Sequence, residues 1–351
     1  MKYAVIKPII TEEDKYAVKM ALDQGDINDG EYVEELEKQI GEYHNCKCVI
    51  LSNCTLALEL IINYATKIYT QTKDIYCTDV SMISTINALI QNTDFPINLL
   101  PVDERNLIFT KDYPPCFYNS KEKLYVLTDF NGRIALDIGK NCYHNTIIID
   151  SAQSILTKSI EYNDYFASAF SLNAVKNITA GIGGGVLTRN NDLYEWLKRI
   201  KNYGRDIGKG DSSIDIIGSN YKMSNINAAL ALSQWQRKDS IIKDKWRVYD
   251  TYRSILYSNM AKDIIVYNET NEVPWLVEVK VNEKYYNNNP FRSVYTPYSK
   301  MEHLKLFAKT FSIDNYQYEY HVFLPSWIGI TDDEIKHYAK IFLNGFKACG
   351  G

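Results

Sequence analysis

Lys176 is the residue of this sequence whose surroundings most call for a chemical explanation. It lies in SLNAVKNITAGIGGG (171–185), among small and polar residues and just before a run of glycines. A lysine that forms a Schiff base needs a partly desolvated position, because desolvation lowers the pKa of its amine and lets it attack a carbonyl. The simpler alternative is an exposed loop lysine, which is the commonest fate of this residue type.

Asp150 is the second candidate. It ends the apolar run TIIID and is followed by Ser151, Ala152 and Gln153. A carboxylate buried there is costly unless a cation or a hydrogen-bond donor meets it, so its position suggests a ligand. Taken alone, a capping role in the following turn is the more frequent explanation for such an Asp.

The glycines at 181, 183, 184 and 185 do not form a nucleotide-binding loop. A GxGxxG fingerprint follows a strand and opens a helix, whereas these glycines precede the apparent strand VLTRN, and no GK[ST] sequence is present. Close backbone packing near Lys176 explains them better.

The elements that must position these residues alternate between short strands and helices. Two helical segments at the N-terminus are followed by six strand-like segments with intervening helices: KCVILSN, KDIYCTDV, INLLPVD, KLYVLTDF, NTIIIDSAQS and DYFASAFSL. This pattern predicts an α/β fold with three layers, in which a mostly parallel sheet is covered by helices on both faces. Functional residues in such sheets gather at the carboxyl ends of the strands, which is where Lys176, Asp150 and the stretch 52–55 fall.

A smaller C-terminal α+β domain is expected after this layer. A long helix predicted from about Asn225 to Tyr257 leads to the strands VPWLVEVKV and EYHVFLP and to the final helix DDEIKHYAKIFLNGF. We place a large domain at 1–240 and a small domain at 241–351.

Composition limits the class of protein. The chain of 351 residues carries a net charge of −4, with basic and acidic residues interspersed, which argues against nucleic-acid binding. The N-terminal apolar run is interrupted by Lys7 and Pro8, and no later run is long enough to cross a bilayer, so a cytoplasmic protein without a membrane partner is expected.

The seven cysteines indicate free thiols rather than disulfides or a metal site. Their number is odd, and the sequence HNCKC (44–48) has no second Cys or His pair at zinc-finger spacing. We therefore predict buried thiols there, and no metal.

Four segments together resemble the DegT/DnrJ/EryC1/StrS family of sugar aminotransferases, which use pyridoxal 5'-phosphate (PLP) on the aspartate-aminotransferase fold. The resemblance runs in order from about Pro8 to about Phe342 and rests on SNCT, IDSAQS, SLNAVKNITAGIGGG and GSNYKMSNINAA. It implies a fold-type-I enzyme with PLP as its cofactor.

The resemblance implies roles for individual residues near the cofactor ring. Lys176 stands in place of the family's internal-aldimine lysine, and Ser171 in place of a phosphate-binding serine. Asp150 matches the aspartate that pairs with the pyridine nitrogen, and Gln153 the glutamine that meets the ring or its 3-oxygen. Met82 stands where an aromatic residue usually stacks on the ring.

The resemblance also assigns the phosphate site and a partner subunit. SNCT is similar to the turn in which helix-terminal amides and a threonine hydroxyl, here Thr55, hold the phosphate, although Cys54 replaces the usual Gly. Asn220 in GSNYKM matches an asparagine that reaches the phosphate of the neighbouring subunit. A homodimer with shared active sites is therefore implied.

Three further positions depart from the family pattern. Lys222 replaces the usual Arg of GSNYKM, and both TPYSK (296–300) and DFNG (129–132) lack the usual His. The sequence thus matches the family in its cofactor site and diverges in its sugar site.

The function implied is ping-pong transamination. Lys176 would carry PLP and shuttle a proton, an amino donor such as L-glutamate would supply the amine, and a nucleotide-linked keto sugar would receive it, in the biosynthesis of deoxyamino sugars for a surface polysaccharide. A branch of the family that carries His instead of lysine dehydrates sugars, so Lys176 favours transamination.

Two other functions stay open at this stage. The divergent sugar site is compatible with a PLP-fold binding or regulatory protein without sugar turnover. The parallel sheet and the glycines are compatible with an NAD-dependent nucleotide-sugar enzyme, although that function leaves Lys176, Asp150 and Gln153 without a joint purpose.

Overall fold

A computed structural model describes residues 3–25, 27–68, 74–103, 107, 123–135, 147–158, 165–206, 214, 216–259, 266, 268–310 and 320–350. Two of the seven cysteines, Cys116 and Cys142, and most of the polar loop at 207–215 lie outside these ranges. None of the described helices is both long enough and apolar enough to cross a membrane.

An eight-stranded sheet forms the centre of the protein. Its strands are β1 (Lys47–Leu51), β2 (Asp74–Thr78), β3 (Ile97–Leu100), β4 (Lys123–Thr128), β5 (Ile147–Ser151), β6 (Ala167–Ser171), β7 (Gly184–Thr188) and β10 (Ala308–Thr310). Their spatial order is β1-β7-β6-β5-β4-β2-β3-β10. All neighbouring pairs are parallel except those that involve β7, which is antiparallel to both β1 and β6.

Helices cover both faces of this sheet. On one face, α3 (Cys54–Ile68), α4 (Ile83–Asn92) and α5 (Asn191–Ile200) share an apolar core with Val49 and Leu51 of β1. On the other face, α2 (Glu31–His44) and α6 (Asn225–Gln236) pack on Cys48 and Ile50 of the same strand. The alternation of β1 side chains between the two cores is the expected consequence of strand geometry, and it confirms the predicted three-layer α/β architecture.

The N-terminal helix α1 (Glu12–Gln24) packs on α6. It begins with a reciprocal capping box between Thr11 and Asp14 and ends at Gly25, whose φ of 76° suits a left-handed C-cap.

The predicted single helix from Asn225 to Tyr257 is wrong at Arg237. The structure has two helices, α6 and α7 (Lys238–Tyr257), and Arg237 between them leaves helical geometry (φ −97°, ψ 11°). The guanidinium of Arg237 contacts both carboxylate oxygens of buried Asp14 at 2.7 and 2.8 Å, a tertiary contact that propensity alone does not encode.

The C-terminal part has a second, three-stranded antiparallel sheet. Its strands are β8 (Val277–Lys280), β9 (Arg292–Ser293) and β11 (His321–Leu324), in the order β8-β11-β9. The sheet packs with helices α7, α8 (Glu283–Asn288) and α9 (Asp332–Ala348). This is the α+β arrangement expected there.

Each of the two parts of the chain contributes a segment that contacts the other part. Strand β10 pairs in parallel with β3 of the large sheet, and the N–H of Tyr3 donates to the carbonyl of Pro290 at 2.8 Å. The division at residue 240 stays a prediction.

Candidate active site

The carboxyl ends of β5 and β6 bring the main candidate residues together. These strands pair in parallel, with Asp150 opposite Ala169, so Asp150 and Ser171 end at the same edge of the sheet. Lys176 follows in a turn after β6, where its N–H donates to the carbonyl of Asn173 at 2.9 Å. The expected convergence at strand ends is therefore observed.

Lys176 is half-buried and lies against an aromatic ring. Its Nζ is 4.2 Å from the ring centroid of Trp275. Burial lowers the pKa of Lys176 to about 8, and the charge of Arg292 acts in the same direction, while Asp150 and Cys54 partly oppose the change. This pKa leaves about one tenth of the amine neutral at pH 7, far more than an ordinary lysine has, and neutral amine is what Schiff-base chemistry requires.

Asp150 is 2% exposed and held by three donors. Thr85 and Ser81 donate from their hydroxyls to Oδ2 at 2.5 and 3.2 Å, and the N–H of Ala152 donates to Oδ1 at 3.1 Å. The last bond is the capping interaction that sequence alone favoured. The other two fix the carboxylate at the strand end, so it both caps the turn and is oriented within the site.

Gln153 lies three residues after Asp150, in the turn that follows β5, and is 6% exposed. Its Oε1 accepts a hydrogen bond from the N–H of Asn131 at 2.7 Å. Within the described ranges no residue accepts from its Nε2, which leaves one amide donor for a ligand.

The stretch SNCT forms the start of α3. Asn53 caps the helix, since its Oδ1 accepts from the N–H of Leu56 at 2.9 Å, and the N–H of Ser52 donates to the carbonyl of Tyr221 at 3.0 Å. The amides of Cys54 and Thr55 have no acceptor in the described part of the chain. Free N–H groups at a helix N-terminus form a ready site for a phosphate.

A glycine permits close packing against this turn. A Cβ atom on Gly184 would lie 2.4 Å from the nitrogen of Cys54, so only glycine fits at the start of β7. Cys54 is 9% exposed, and burial raises the pKa of its thiol well above the ordinary value. Its side chain belongs to the apolar core, and the expected close packing near the glycines is observed.

Three further candidates lie at the edge of this group. Ser171 is buried, and its Oγ accepts from the N–H of Asn173 at 3.3 Å. Met82 precedes α4 and is 48% exposed. Asn220 is exposed and forms an isolated bridge with Asn202, and none of the described hydrogen bonds joins it to Lys176 or Asp150.

Residues that the sequence did not point to also build this site. Trp275 comes from the segment before β8, and its Nε1 donates to the carbonyl of Val175 at 2.9 Å. The positive charge of Arg292, in β9, helps to lower the pKa of Lys176. Neither has a local signal, because each is brought to Lys176 by a segment distant in sequence.

The TPYSK segment packs against the ends of β2 and α4. Tyr298 is 1% exposed and donates from its hydroxyl to the carbonyl of Met82 at 2.5 Å, while Ser299 donates from its N–H to Oδ1 of Asp79 at 2.7 Å. In the family's Pro-x-His element the His position is Ser299 in this chain, and the residue before it is the buried Tyr298.

This set of groups fits PLP. The half-buried amine suits the aldehyde of PLP, and the oriented carboxylate suits its pyridine nitrogen. The amide donor suits its phenolate oxygen, and the free helix N-terminus suits its phosphate. The glycines lead into β7 and do not open a helix, so the NAD-dependent alternative lacks its loop. The described residues contain no group of three or more His, Cys, Asp or Glu arranged for a metal.

The HNCKC sequence has structural roles. His44 is 1% exposed, and one of its ring nitrogens bonds to the carbonyl of Ile155 at 2.9 Å. Cys48 is buried, whereas Cys46 is half-buried, so the prediction of buried thiols is met fully by Cys48 only.

Comparison with known proteins gives consistent matches over nearly the whole chain. A sequence model of the DegT/DnrJ/EryC1/StrS aminotransferase family matches residues 8–340. GDP-perosamine synthase of Vibrio cholerae is 26% identical over 97% of this chain and 98% of its own. UDP-4-amino-4,6-dideoxy-N-acetyl-beta-L-altrosamine transaminase of Helicobacter pylori is 26% identical over 74% of this chain and 71% of its own.

Solved structures give the same fold. PseC of Helicobacter pylori, an aminotransferase of pseudoaminic acid biosynthesis, superposes with a TM-score of 0.85 over 99% of this chain and 100% of its own, at 18% identity. Spr1654 of Streptococcus pneumoniae in its PLP form has a TM-score of 0.81 over 99% of this chain and 100% of its own, also at 18% identity.

Proposed function

The chain belongs to the DegT/DnrJ/EryC1/StrS aminotransferase family and is a transaminase, and from this premise we propose that it transfers an amino group from L-glutamate to the keto group of a nucleotide-linked sugar, with PLP held at Lys176. The observation that carries the proposal is the half-buried amine of Lys176, whose pKa is lowered to about 8, at the same sheet edge as the oriented carboxylate of Asp150. The names of the two curated relatives, one a GDP-sugar and one a UDP-sugar enzyme, support the substrate class.

Lys176 has two tasks in this proposal. Its neutral amine would hold the cofactor through the aldehyde, and the same amine, once free, would take the proton of the donor α-carbon. Trp275 helps to position the lysine side chain. Its ring centroid lies 4.2 Å from Nζ, and the ring face attracts the amine when it carries the proton.

Asp150 keeps the pyridine nitrogen protonated. Thr85 and Ser81 fix its Oδ2, so the carboxylate needs no reorientation when the ligand binds. When bound, PLP supplies the electron sink for the negative charge that develops as the α-proton leaves. Gln153 offers Nε2 to the ring or its 3-oxygen, and the amides of Cys54 and Thr55, with Ser171 and the Thr55 hydroxyl, hold the phosphate.

The reaction runs in two halves. The donor would give its amino group to the cofactor and leave as a keto acid before the sugar binds, and Lys176 would return the proton as that amino group passes to the sugar. Asn220 is exposed in the single chain, which suits a residue that completes the phosphate site of a partner subunit, so we include a homodimer with shared sites. Lys176 also separates this proposal from the dehydratase branch, which carries His at that position.

The test is the visible absorption spectrum of the purified protein with PLP, recorded for wild type and Lys176→Ala before and after addition of L-glutamate. We expect a yellow band in the wild type that bleaches with glutamate and is altered in the variant. Amine formation with a panel of nucleotide keto sugars should follow. A colourless wild type would overturn the cofactor assignment. A yellow protein that neither bleaches nor aminates any sugar would instead support a binding or regulatory role.

A further inference from the structure

A buried polar network contacts Gln153 through Asn131, and the proposed function assigns this network no role. None of its residues is more than 1% exposed; they are Asn131, Arg133, Asn268, Glu278 and His321. Burying charges and amides is costly unless they are paired, so a network of this size implies a requirement for fixed geometry.

Asn131 connects this network to Gln153. Its backbone has a positive φ of 55°, which few residues with a side chain adopt and which Asn tolerates better than most. In that conformation its N–H donates to Oε1 of Gln153 at 2.7 Å. Because the oxygen end of the amide is occupied, the donor end, Nε2, is the part left for a ligand.

The side chain of Asn131 is fixed at both ends. Its Oδ1 accepts from the N–H of Leu276 at 2.8 Å, and its Nδ2 donates to the carbonyl of Leu276 at 3.0 Å and to Oε2 of Glu278 at 3.1 Å. The carbonyl of Asn131 accepts from Nδ2 of Asn268 at 3.0 Å. The turn at 130–132 is thereby locked to the segment that leads into β8.

Glu278 supplies the charge that orients Asn131. Arg133 and Nδ1 of His321 each contact its carboxylate at 2.7 Å. Burial alone would raise the pKa of Glu278, but Arg133 and His321 hold it below the ordinary value. The carboxylate therefore stays an acceptor, and the amide of Asn131 keeps its Nδ2 toward it.

We propose that Asn131 is a positioning residue for the bound cofactor. Asn131 holds the amide of Gln153 so that its Nε2 is offered to the cofactor's 3-oxygen. The proposal rests on the proposed function, because it requires PLP at Lys176. A donor beside a phenolate oxygen favours its ionised form. Asn131 thus influences both the affinity for PLP and the pH at which the bound cofactor changes its visible spectrum. The family's usual His is absent from this segment, and the DFNGR sequence builds the network in its place.

The experiment compares Asn131→Ala with Asn131→Gly and with Asn45→Ala. Asn45 is exposed and has a similar positive φ of 49°, so its replacement measures the general cost of alanine in this backbone conformation. The readouts are the Kd for PLP, from fluorescence titration of the apoprotein, and the midpoint of the pH titration of the visible band.

We expect Asn131→Ala to weaken PLP binding roughly 3- to 10-fold, the size of one lost hydrogen bond, and to shift the pH midpoint. Asn131→Gly retains the positive φ and the N–H toward Gln153, so its pH midpoint should lie closer to that of the wild type. Asn45→Ala should change neither readout.

A folded Asn131→Ala protein with the wild-type Kd and pH midpoint would overturn the proposal. Should that variant fail to fold, Gln153→Glu keeps the acceptor for Asn131 and removes the donor, and an unchanged pH midpoint there would overturn the proposal equally. A wild type that binds no PLP would overturn the proposed function instead, so the two failures are distinguishable.

Discussion

The two sides of the Lys176 pocket are built in different ways. The cofactor side consists of short segments at the ends of β1, β5 and β6, at residues 52–55, 150–153 and 171–176. The opposite side comes from residues 275–299, which reach the pocket from beyond α7. In sequence, the cofactor side keeps the family's Lys, Asp and Gln and departs at Cys54, whereas the opposite side lacks the family's usual His. Tyr298 and Ser299 of the TPYSK element pack on the end of β2.

In the proposed function, the difference reflects what each side would bind. PLP would be the same ligand for every substrate, and its proposed partners lie at strand ends that a parallel sheet brings together. The acceptor differs between relatives, whose names specify GDP- and UDP-linked sugars. Changes on the cofactor side should therefore lower the activity with every substrate. Changes on the other side should alter the binding of the sugar substrate or the selectivity among sugars.

The largest expected effect on the cofactor side is that of Asp150→Asn. The amide cannot hold the pyridine nitrogen protonated, so the rate of the glutamate half-reaction should fall by about two to three orders of magnitude, as when one preorganised electrostatic partner is lost. PLP should remain bound, because the phosphate site and Lys176 are unchanged. Stopped-flow bleaching of the visible band measures the rate, and near-normal turnover would refute the role of Asp150.

A second change tests the packing beneath the phosphate site. In Gly184→Ala the new Cβ would lie 2.4 Å from the nitrogen of Cys54, so the turn must move. We expect a loss of about 1–3 kcal/mol in the free energy of unfolding, as in other overpacked sites, together with weaker PLP binding.

Gly329→Ala is the matched control for this change. Gly329 has a positive φ of 76°, which disfavours alanine, but a Cβ atom on this residue would meet no other atom within 4 Å. The variant should lose stability without losing affinity for PLP. Equal PLP affinity in Gly184→Ala and the wild type would show that the close approach of β7 does not shape the phosphate site.

The pH dependence of Lys176 tests the electrostatics of the same side. With a pKa of about 8, the neutral fraction of this amine rises from about one tenth at pH 7 to about nine tenths at pH 9. Formation of the visible band in the apoprotein should therefore accelerate roughly tenfold over this range and then level off. Stopped-flow mixing with PLP measures it. A rate that still rises tenfold per pH unit above pH 9 would contradict the lowered pKa.

The smallest effect is expected at the boundary between the two sides, at Met82. Met82→Tyr restores an aromatic residue where the family usually has one, and an aromatic stack contributes about 0.5–1.5 kcal/mol. The binding free energy of PLP should become more favourable by that amount, so more PLP should stay bound during dialysis. Leu22→Tyr, at a similarly exposed position on α1, is the control and should leave retention unchanged. No gain in Met82→Tyr would indicate that Met82 does not face the cofactor ring.

Much of the cofactor side could be predicted from sequence because its signals are local. Asp150 ends an apolar strand, Lys176 precedes a glycine run, and SNCT opens a helix, so strand geometry alone predicts that they converge. The order of strands, the antiparallel β7 and the joining of β10 to the large sheet have no such local signal. They depend on pairing between segments far apart in the chain.

By itself, the sequence determined the α/β layering, the family and the residues at the strand ends, and it carries the lysine on which the proposed transamination rests. These follow from hydrophobic periodicity and from residue types at fixed spacings, which are properties of short segments. Only the tertiary structure decided the break at Arg237, the ring of Trp275 against Lys176, and the network from Glu278 through Asn131 to Gln153. Each of these depends on contacts between segments that are distant in the chain, and such contacts form only once the whole chain is packed.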